Sequence, residues 1–203
     1  MTRRTLYLAR HGEADPLGAL TDRGREQSRR LGRRLAELPI DVIWHSPLPR
    51  ATESAAVIAR SLPPVLVDEA AELIDHIPDV PDLTDLSPMW AAFFDGMGER
   101  EIDAGRRTAR RLTARFATPI PAPGRPTHEV LITHAYQVAW MVRDALGAPA
   151  RSWMSLAGMA NTGLTIIEYD SGTPPLVHSV NDRSHLVDAA PASGTRHPDG
   201  PVR

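Results

Sequence analysis

The chain lacks two residue types entirely, and each absence removes several kinds of chemistry. It contains no cysteine, which excludes disulfides, thiolate nucleophiles and cysteine-ligated zinc or iron–sulfur sites. It contains no lysine either, because all 23 of its Lys and Arg residues are arginine. Schiff-base catalysis by the protein and a Walker-type phosphate loop both require a lysine, so the sequence excludes them too.

Excess charge of one sign and long apolar runs are also missing. The formal net charge is -2, without the basic excess that is typical of nucleic-acid-binding proteins. Charge returns after only a few apolar residues at the start of the chain, which is too short a run for a secretory signal or a membrane span. We therefore expect a cytoplasmic protein with no nucleic-acid or membrane partner.

Length and patterning favour one domain with a sizeable core. Six short segments have the composition of strands: residues 5–9, 41–44, 65–67, 130–133, 164–169 and 176–180. Because helical segments separate the strands, we predict an α/β fold, a three-layer α/β/α sandwich around a mostly parallel sheet. The domain should cover residues 1–188, and the polar, proline-rich residues 189–203 are expected to form a disordered tail.

Four segments show helical spacing, and the first has the clearest signals. Thr21 is placed to cap a helix whose apolar face includes Gly24 and Leu31. The opposite face carries five arginines, which we interpret as a solvated surface rather than a docking patch: Arg25, Arg29, Arg30, Arg33 and Arg34. The other three predicted helices cover residues 47–62, about 102–116 and about 136–146. Residues 68–98 break the pattern with prolines, aspartates and aromatic residues, and we interpret them as an insertion beside the functional site.

Cationic side chains follow three of the predicted strands. Arg10 and His11 come directly after the first strand. Arg50 follows the second strand, and His134 follows the strand at 130–133. Open α/β sheets bind ligands at the carboxyl ends of their strands, so these side chains should meet at one edge. Arginine forks match phosphate oxygens and histidine can act as donor or nucleophile, so the pattern predicts a phosphoryl-binding site.

Four segments, in order, resemble the motifs of the histidine phosphatase superfamily, which has the phosphoglycerate-mutase-like fold. The segments are LARHGEA, LTDRGREQ, SPLPRATESA and ITHAYQV, and the resemblance covers roughly residues 5–181. One RHG triplet is weak because short motifs recur by chance, whereas four motifs in order are specific. The insertion and the stretch MANTGL most resemble the branch that contains small bacterial phosphatases and a mitochondrial protein Ser/Thr phosphatase.

The resemblance implies a phosphatase that needs neither a metal ion nor another cofactor. His11 would be the nucleophile and would carry the phosphoryl group as a phosphohistidine, which splits one displacement into two. Arg10, Arg50 and His134 would bind the transferring oxygens. The backbone amide of Ala135 would add a donor at the start of a helix. The two arginines should also disfavour a positive charge on His11 and so keep it unprotonated.

The leaving oxygen needs a proton, and in this family a carboxylic acid in the insertion supplies it. Aligning Leu73-Ile74-Asp75 with the family's Leu-x-Glu pattern points to Asp75, with Glu72 as the alternative. The chain departs from the family pattern at this point, because an aspartate replaces the commoner glutamate and His76 stands where a glycine is usual.

Three other functions stay open at this stage. A mutase of the phosphoglycerate type is disfavoured because Leu17 stands where mutases have an asparagine, in a loop that is short here. Removal of the phosphoryl group from phosphohistidine in signalling proteins would need little acid, and a non-catalytic domain would only bind phosphorylated ligands. The sequence does not distinguish a phosphorylated small molecule from a phosphoprotein as substrate, and it does not indicate the oligomeric state.

Overall fold

The computed structural model describes residues 2–187 except 83, 85, 122 and 123, so the predicted tail lies outside the described residues. Six strands form one sheet: β1 (Arg4–Arg10), β2 (Val42–His45), β3 (Leu66–Glu69), β4 (Thr127–Thr133), β5 (Leu164–Tyr169) and β6 (Leu176–Asp182). Their order across the sheet is β3-β2-β4-β1-β5-β6. The strands from β3 to β1 pair in parallel, whereas β5 is antiparallel to both of its neighbours. The predicted mostly parallel sheet is confirmed.

Helices cover both faces of the sheet: α1 (Asp22–Leu35), α2 (Pro49–Ala59), α3 (Pro88–Phe94), α4 (Glu99–Phe116) and α5 (Ala135–Ala145). Successive side chains of a strand point to opposite faces. Leu6 and Leu8 of β1 accordingly pack with α4 and α5, while Tyr7 and Ala9 pack with α1 and α2. The predicted three-layer sandwich is therefore confirmed. Within the described part of the chain, none of the helices is long and apolar enough to span a bilayer.

Proline sets the start of α2, which is shorter than the predicted helix over 47–62. Leu48 precedes Pro49 and is extended, with φ -73° and ψ 138°, because the ring of a following proline disfavours the helical conformation. The helix therefore starts at Pro49, where the missing amide costs no helical hydrogen bond. It ends at Ala59, and the chain turns to reach Leu62.

The edge strand β3 also differs from its prediction at 65–67. Its register pairs Asp68 with Trp44 and Glu69 with His45, so two acidic residues belong to the strand. All four of its residues are exposed, so backbone pairing with β2 rather than apolar burial determines where it ends. A further helix, α3, lies inside the predicted insertion. The other predicted elements end within three residues of their expected bounds.

The arginine-rich face of α1 is only partly solvated, which corrects the sequence interpretation. Arg25 Nε contacts Glu53 Oε1 of α2 at 2.7 Å, and Arg34 contacts Asp182 at the end of β6 at 2.6 Å. The cap was predicted correctly, because Thr21 Oγ1 accepts a hydrogen bond from the first-turn amide at 3.0 Å. These contacts hold α1 against α2 and against the last strand.

Candidate active site

The loop after β1 carries His11 and lies directly against α1. The amide of His11 donates to the carbonyl of Thr133 at 2.9 Å, which continues the pairing with β4 for one residue. A Cβ atom on Gly12 would lie 2.4 Å from the carbonyl oxygen of Gly24. Only glycine permits this approach of two backbones. The glycine of the RHG triplet therefore holds the histidine loop against the first turn of the helix.

Two contacts determine which ring nitrogen of His11 carries the proton. Nδ1 lies 2.7 Å from the carbonyl oxygen of Gly12, and Arg50 Nε donates to Nε2 at 3.0 Å. A carbonyl only accepts and a guanidinium only donates. Nδ1 therefore holds the proton, while Nε2 keeps its lone pair, which makes Nε2 the nucleophilic nitrogen of this ring.

Burial is the largest cause that lowers the pKa of His11 to about 4, since the ring is only 6% exposed. The hydrogen bond to the Gly12 carbonyl acts in the opposite direction, and Arg10 and Arg50 lower the pKa further. The sequence analysis attributed the neutral state of His11 to the two arginines, whereas burial lowers its pKa more than they do. The ring is neutral at pH 7.

Arg50, in the first turn of α2, joins three separate segments of the site. In addition to the hydrogen bond from its Nε to His11, its Nη2 donates to Asp75 Oδ2 at 2.8 Å and to His134 Nδ1 at 3.3 Å. The hydroxyl of Ser54 accepts a hydrogen bond from the backbone amide of Gly12 at 3.0 Å and donates one to the Arg50 carbonyl at 2.7 Å. The start of α2 is thereby fixed to the loop after β1.

His134 occupies the position before α5 and is buried. Because Arg50 can only donate to Nδ1, the proton of His134 is on Nε2, which donates to Ser46 Oγ at 2.8 Å. Burial, followed by the nearby His11 and the arginines, lowers the pKa of His134 to about 2. The sequence predicted a donor toward a phosphoryl group, but in this arrangement Nδ1 accepts, and donation would require a second proton.

The two candidate acids lie in different places. Asp75 Oδ2 contacts Arg50 and lies 3.5 Å from His134 Nδ1. Glu72 instead contacts Arg115 of α4 at 2.8 Å and does not line the pocket. The structure therefore brings Asp75 together with the predicted cationic residues and separates Glu72 from them.

A pocket of about 210 Å³ lies at this site, and its wall consists of Arg10, His11, Asp75, His134, Ala135, Tyr136 and Ala157. Arg10 reaches the pocket with one nitrogen bound to the carbonyl of Met159 at 3.0 Å. Among the residues that the structure describes, no three His, Asp or Glu side chains are arranged to hold a metal ion. Two arginines beside two neutral imidazoles form a site suited to a phosphoryl dianion.

Several residues of the site were not singled out by the sequence. Ser46 lies in the third motif, but its partner is His134, far along the chain. Asn161 lies in the MANTGL stretch, and its amide nitrogen donates to the His11 carbonyl at 2.9 Å. Tyr136 lies in the fourth motif and forms part of the pocket wall. Membership of these motifs was the only available signal, because each role depends on a distant partner.

The aromatic residues of the insertion divide between core and pocket. Phe94 is buried, and Trp90 packs against the same core. Phe93 is 45% exposed, and its ring centroid lies 6.1 Å from that of Tyr136. Phe93 thus reaches the rim of the pocket through its contact with Tyr136.

A comparison with a protein-family model shows which family the chain belongs to. The model of the histidine phosphatase superfamily (branch 1) matches residues 6–182. The chain belongs to this superfamily. The mitochondrial serine/threonine-protein phosphatase Pgam5 of Caenorhabditis briggsae is 28% identical over 192 residues, covering 91% of this chain and 65% of the relative. Human PGAM5 is 30% identical over 164 residues, covering 76% of this chain and 54% of the relative. The chain thus spans less than two thirds of either relative, and the resemblance stated from the motifs is confirmed.

Solved histidine phosphatase structures confirm the phosphoglycerate-mutase-like fold. YhfR of Bacillus stearothermophilus is 24% identical with a TM-score of 0.67, covering 91% of this chain and 100% of that chain. A mycobacterial glucosyl-3-phosphoglycerate phosphatase is 20% identical with a TM-score of 0.61, covering 89% and 100%. A phosphoglycerate mutase of Plasmodium falciparum is 17% identical with a TM-score of 0.61, covering 94% and 96%.

Proposed function

We propose that this superfamily member is a metal-independent phosphatase that hydrolyses a phosphomonoester through a phosphohistidine intermediate on His11. The observation that carries the proposal is the pair of contacts at His11. Its Nδ1 donates to the Gly12 carbonyl, and its Nε2 accepts from Arg50. A neutral, oriented imidazole beside arginines is what nucleophilic attack on a phosphoryl dianion requires.

In the first step, Nε2 of His11 forms a bond to phosphorus while the bond from phosphorus to the leaving oxygen breaks. Arg50 exchanges its hydrogen bond to Nε2 for hydrogen bonds to the phosphoryl oxygens, and Arg10 neutralises the same oxygens. The phosphorylated ring keeps its proton on Nδ1 and is cationic. The Gly12 carbonyl, 2.7 Å from Nδ1, stabilises that charge.

Asp75 supplies the proton that the leaving oxygen needs. When Arg50 shifts onto the phosphoryl group, its ion pair with Asp75 is broken, and the Asp75 carboxylate and His134 Nδ1 each take up a proton from solvent. Asp75 then protonates the leaving group, and His134 donates from Nδ1 to a phosphoryl oxygen. In the second step the Asp75 carboxylate takes a proton from water, the water oxygen bonds to phosphorus, and the phosphorus–nitrogen bond breaks to release phosphate.

Hydrolysis is favoured over a mutase reaction by the loop after His11. Leu17 is 94% exposed and lies outside the pocket wall, so it has no contact through which to hold a phosphoglycerate. The names of the relatives include a protein phosphatase and a sugar-phosphoglycerate phosphatase. We therefore retain both a phosphoprotein and a phosphorylated small molecule as substrate classes.

The test is hydrolysis of p-nitrophenyl phosphate in excess EDTA, followed by acid and alkaline quenching to trap a phosphoenzyme. The wild type should turn over and give a phosphoenzyme that is labile to acid and stable to alkali. His11→Ala should lose about 10³-fold or more of kcat/KM, whereas His178→Ala, on the exposed part of β6, should match the wild type. Turnover that survives His11→Ala, or no turnover by the wild type on this and a panel of phosphomonoesters, contradicts the proposal.

A further inference from the structure

The loop that carries Asp75 has no regular secondary structure of its own. Residues 75–82 belong to no helix or strand in the described part of the chain. The contact of Asp75 with Arg50 is partly open to solvent, and such ion pairs contribute little to stability. A group that transfers a proton must nevertheless lie within hydrogen-bond distance of its target. The position of Asp75 therefore depends on what holds the backbone on either side of it.

Two buried side chains hold that backbone. Thr133 Oγ1 donates to the carbonyl of Leu73 at 2.7 Å, two residues before Asp75. Gln137 Nε2 donates to the carbonyl of His76 at 2.9 Å, one residue after it. Both donors are inaccessible to solvent. Thr133 lies immediately before His134 and Gln137 lies three residues after it. The two donors therefore tie the loop to the segment that carries His134.

Gln137 is unusual for its place in the fold. It lies in α5 among buried apolar residues such as Val138 and Met141. A buried amide is costly unless its hydrogen bonds are made, and among the described residues Gln137 Oε1 has no hydrogen-bond partner. An apolar side chain would fill this position at lower cost, so packing alone does not account for the glutamine.

The same stretch of backbone is tightened by a local contact. His76 Nδ1 lies 2.7 Å from the carbonyl of Ile74, so the residues on the two sides of Asp75 are joined to each other. Burial lowers the pKa of His76, which keeps the ring neutral. The hydrogen bonds of Thr133 and Gln137 and the contact within the loop thus fix the backbone on both sides of Asp75.

We propose that Thr133 and Gln137 are positioning residues that set the place of Asp75 for proton transfer, an inference that rests on the proposed function. Their side-chain hydrogen bonds go to the carbonyls on either side of Asp75, and not to the phosphoryl-binding arginines or His11. Loss of either hydrogen bond displaces Asp75, while the groups that bind and attack phosphorus stay in place. A good leaving group needs no proton, so only substrates with poor leaving groups depend on the two residues.

The experiment measures kcat/KM for Gln137→Met and Thr133→Val with p-nitrophenyl phosphate and with an alkyl phosphate. We expect at least about a tenfold loss with the alkyl phosphate and less than about threefold with the nitrophenyl ester. Adding Gln137→Met to Asp75→Asn should cause no further loss, because the acid is already absent. Thr165→Val is the matched control, since Thr165 is also a buried strand threonine, and its Oγ1 accepts a hydrogen bond from the backbone amide of Asn181 at 3.0 Å.

Equal losses on both substrates, or additive losses in the double variant, overturn the inference. Thr133→Ser keeps the hydroxyl and should restore the wild-type ratio between the two substrates, which separates hydrogen bonding from packing if Gln137→Met folds poorly. Amide hydrogen exchange gives a readout independent of turnover: Thr133→Val should expose residues 73–77 to faster exchange and leave β5 unchanged. Unchanged exchange in that loop also overturns the inference. Turnover that persists in His11→Ala contradicts the proposed function instead.

Discussion

Arg50 is the residue on which most contacts of the site converge. Its guanidinium reaches His11 after β1, Asp75 in the insertion and His134 before α5. A planar group with five donors in a fixed fork can serve three partners at once. The geometry of the site therefore depends on the shape of this side chain as well as on its charge.

Replacement of Arg50 by lysine tests that dependence. An ammonium keeps the charge but cannot span the three partners, so Arg50→Lys should lower kcat/KM for p-nitrophenyl phosphate by about 10²- to 10³-fold. Arg25→Lys is the control, because Arg25 makes an ion pair outside the pocket and should stay within about twofold. An Arg50→Lys enzyme with more than half of the wild-type kcat/KM contradicts the prediction.

The individual site residues differ in how far the sequence could identify them. Arg10 and His11 belong to one short motif at a strand end, where ligands of α/β sheets bind, so their neighbourhood could be predicted. Asp75 and Glu72 are nearly adjacent in the chain, but Asp75 contacts Arg50 whereas Glu72 contacts Arg115 on α4. Contacts between distant segments decide such cases, and a local pattern carries no information about them.

At the scale of elements, the site depends on how closely the loop after β1 approaches α1. A Cβ atom on Gly24 would lie 2.0 Å from the carbonyl oxygen of Glu13, and for both Gly12 and Gly24 the nearest atom that a Cβ would meet belongs to the backbone. The sequence indicated Gly24 only as part of an apolar helix face. The close approach could not be predicted because it depends on the path of the other segment.

Gly24→Ala should therefore push α1 away from the loop that carries the nucleophile. We expect a loss of roughly 1–3 kcal/mol in the free energy of unfolding and a lower kcat for p-nitrophenyl phosphate. Gly124→Ala is the matched control, because a Cβ there meets no atom of the described residues within 4 Å. Urea unfolding and steady-state kinetics measure both effects, and a Gly24→Ala protein with wild-type stability and kcat argues against this packing.

Helix α3 illustrates why one element was missed. Its seven residues span only about two turns, too few to establish a helical period. Its aromatic side chains are ordered by contacts with other segments, such as that of Trp90 with Trp153 at 5.8 Å between ring centroids. Long periodic segments such as α4 could be predicted, whereas this short helix depends on tertiary packing.

At the scale of the whole molecule, burial of neutral histidines couples folding to pH. The pKa is lowered to about 4 for His11 and to about 2 for His134. Because each pKa is lower in the folded state, the unfolded chain binds the extra protons as the pH falls below about 6.5. The stabilisation is complete above that pH and is lost progressively on acidification.

Between pH 7 and pH 5.5, each of these two histidines should remove about 1 kcal/mol from the free energy of unfolding. Urea titrations at the two pH values measure the loss, and His11→Asn should show a pH dependence smaller by about 1 kcal/mol. His178→Asn, at an exposed position, should keep the wild-type dependence. An identical slope for the wild type and His11→Asn contradicts the assignment of the neutral state to His11.

The central position of β1 has a consequence for biosynthesis. This strand emerges from the ribosome before its two neighbours in the sheet, which begin only at Thr127 and Leu164. Until both have been translated, the strand that leads into His11 has an unpaired edge and exposed apolar side chains, which favours aggregation or chaperone binding. Pairing across such long separations is also slow. A nascent chain released before β5 therefore carries the nucleophile without the sheet that orients it.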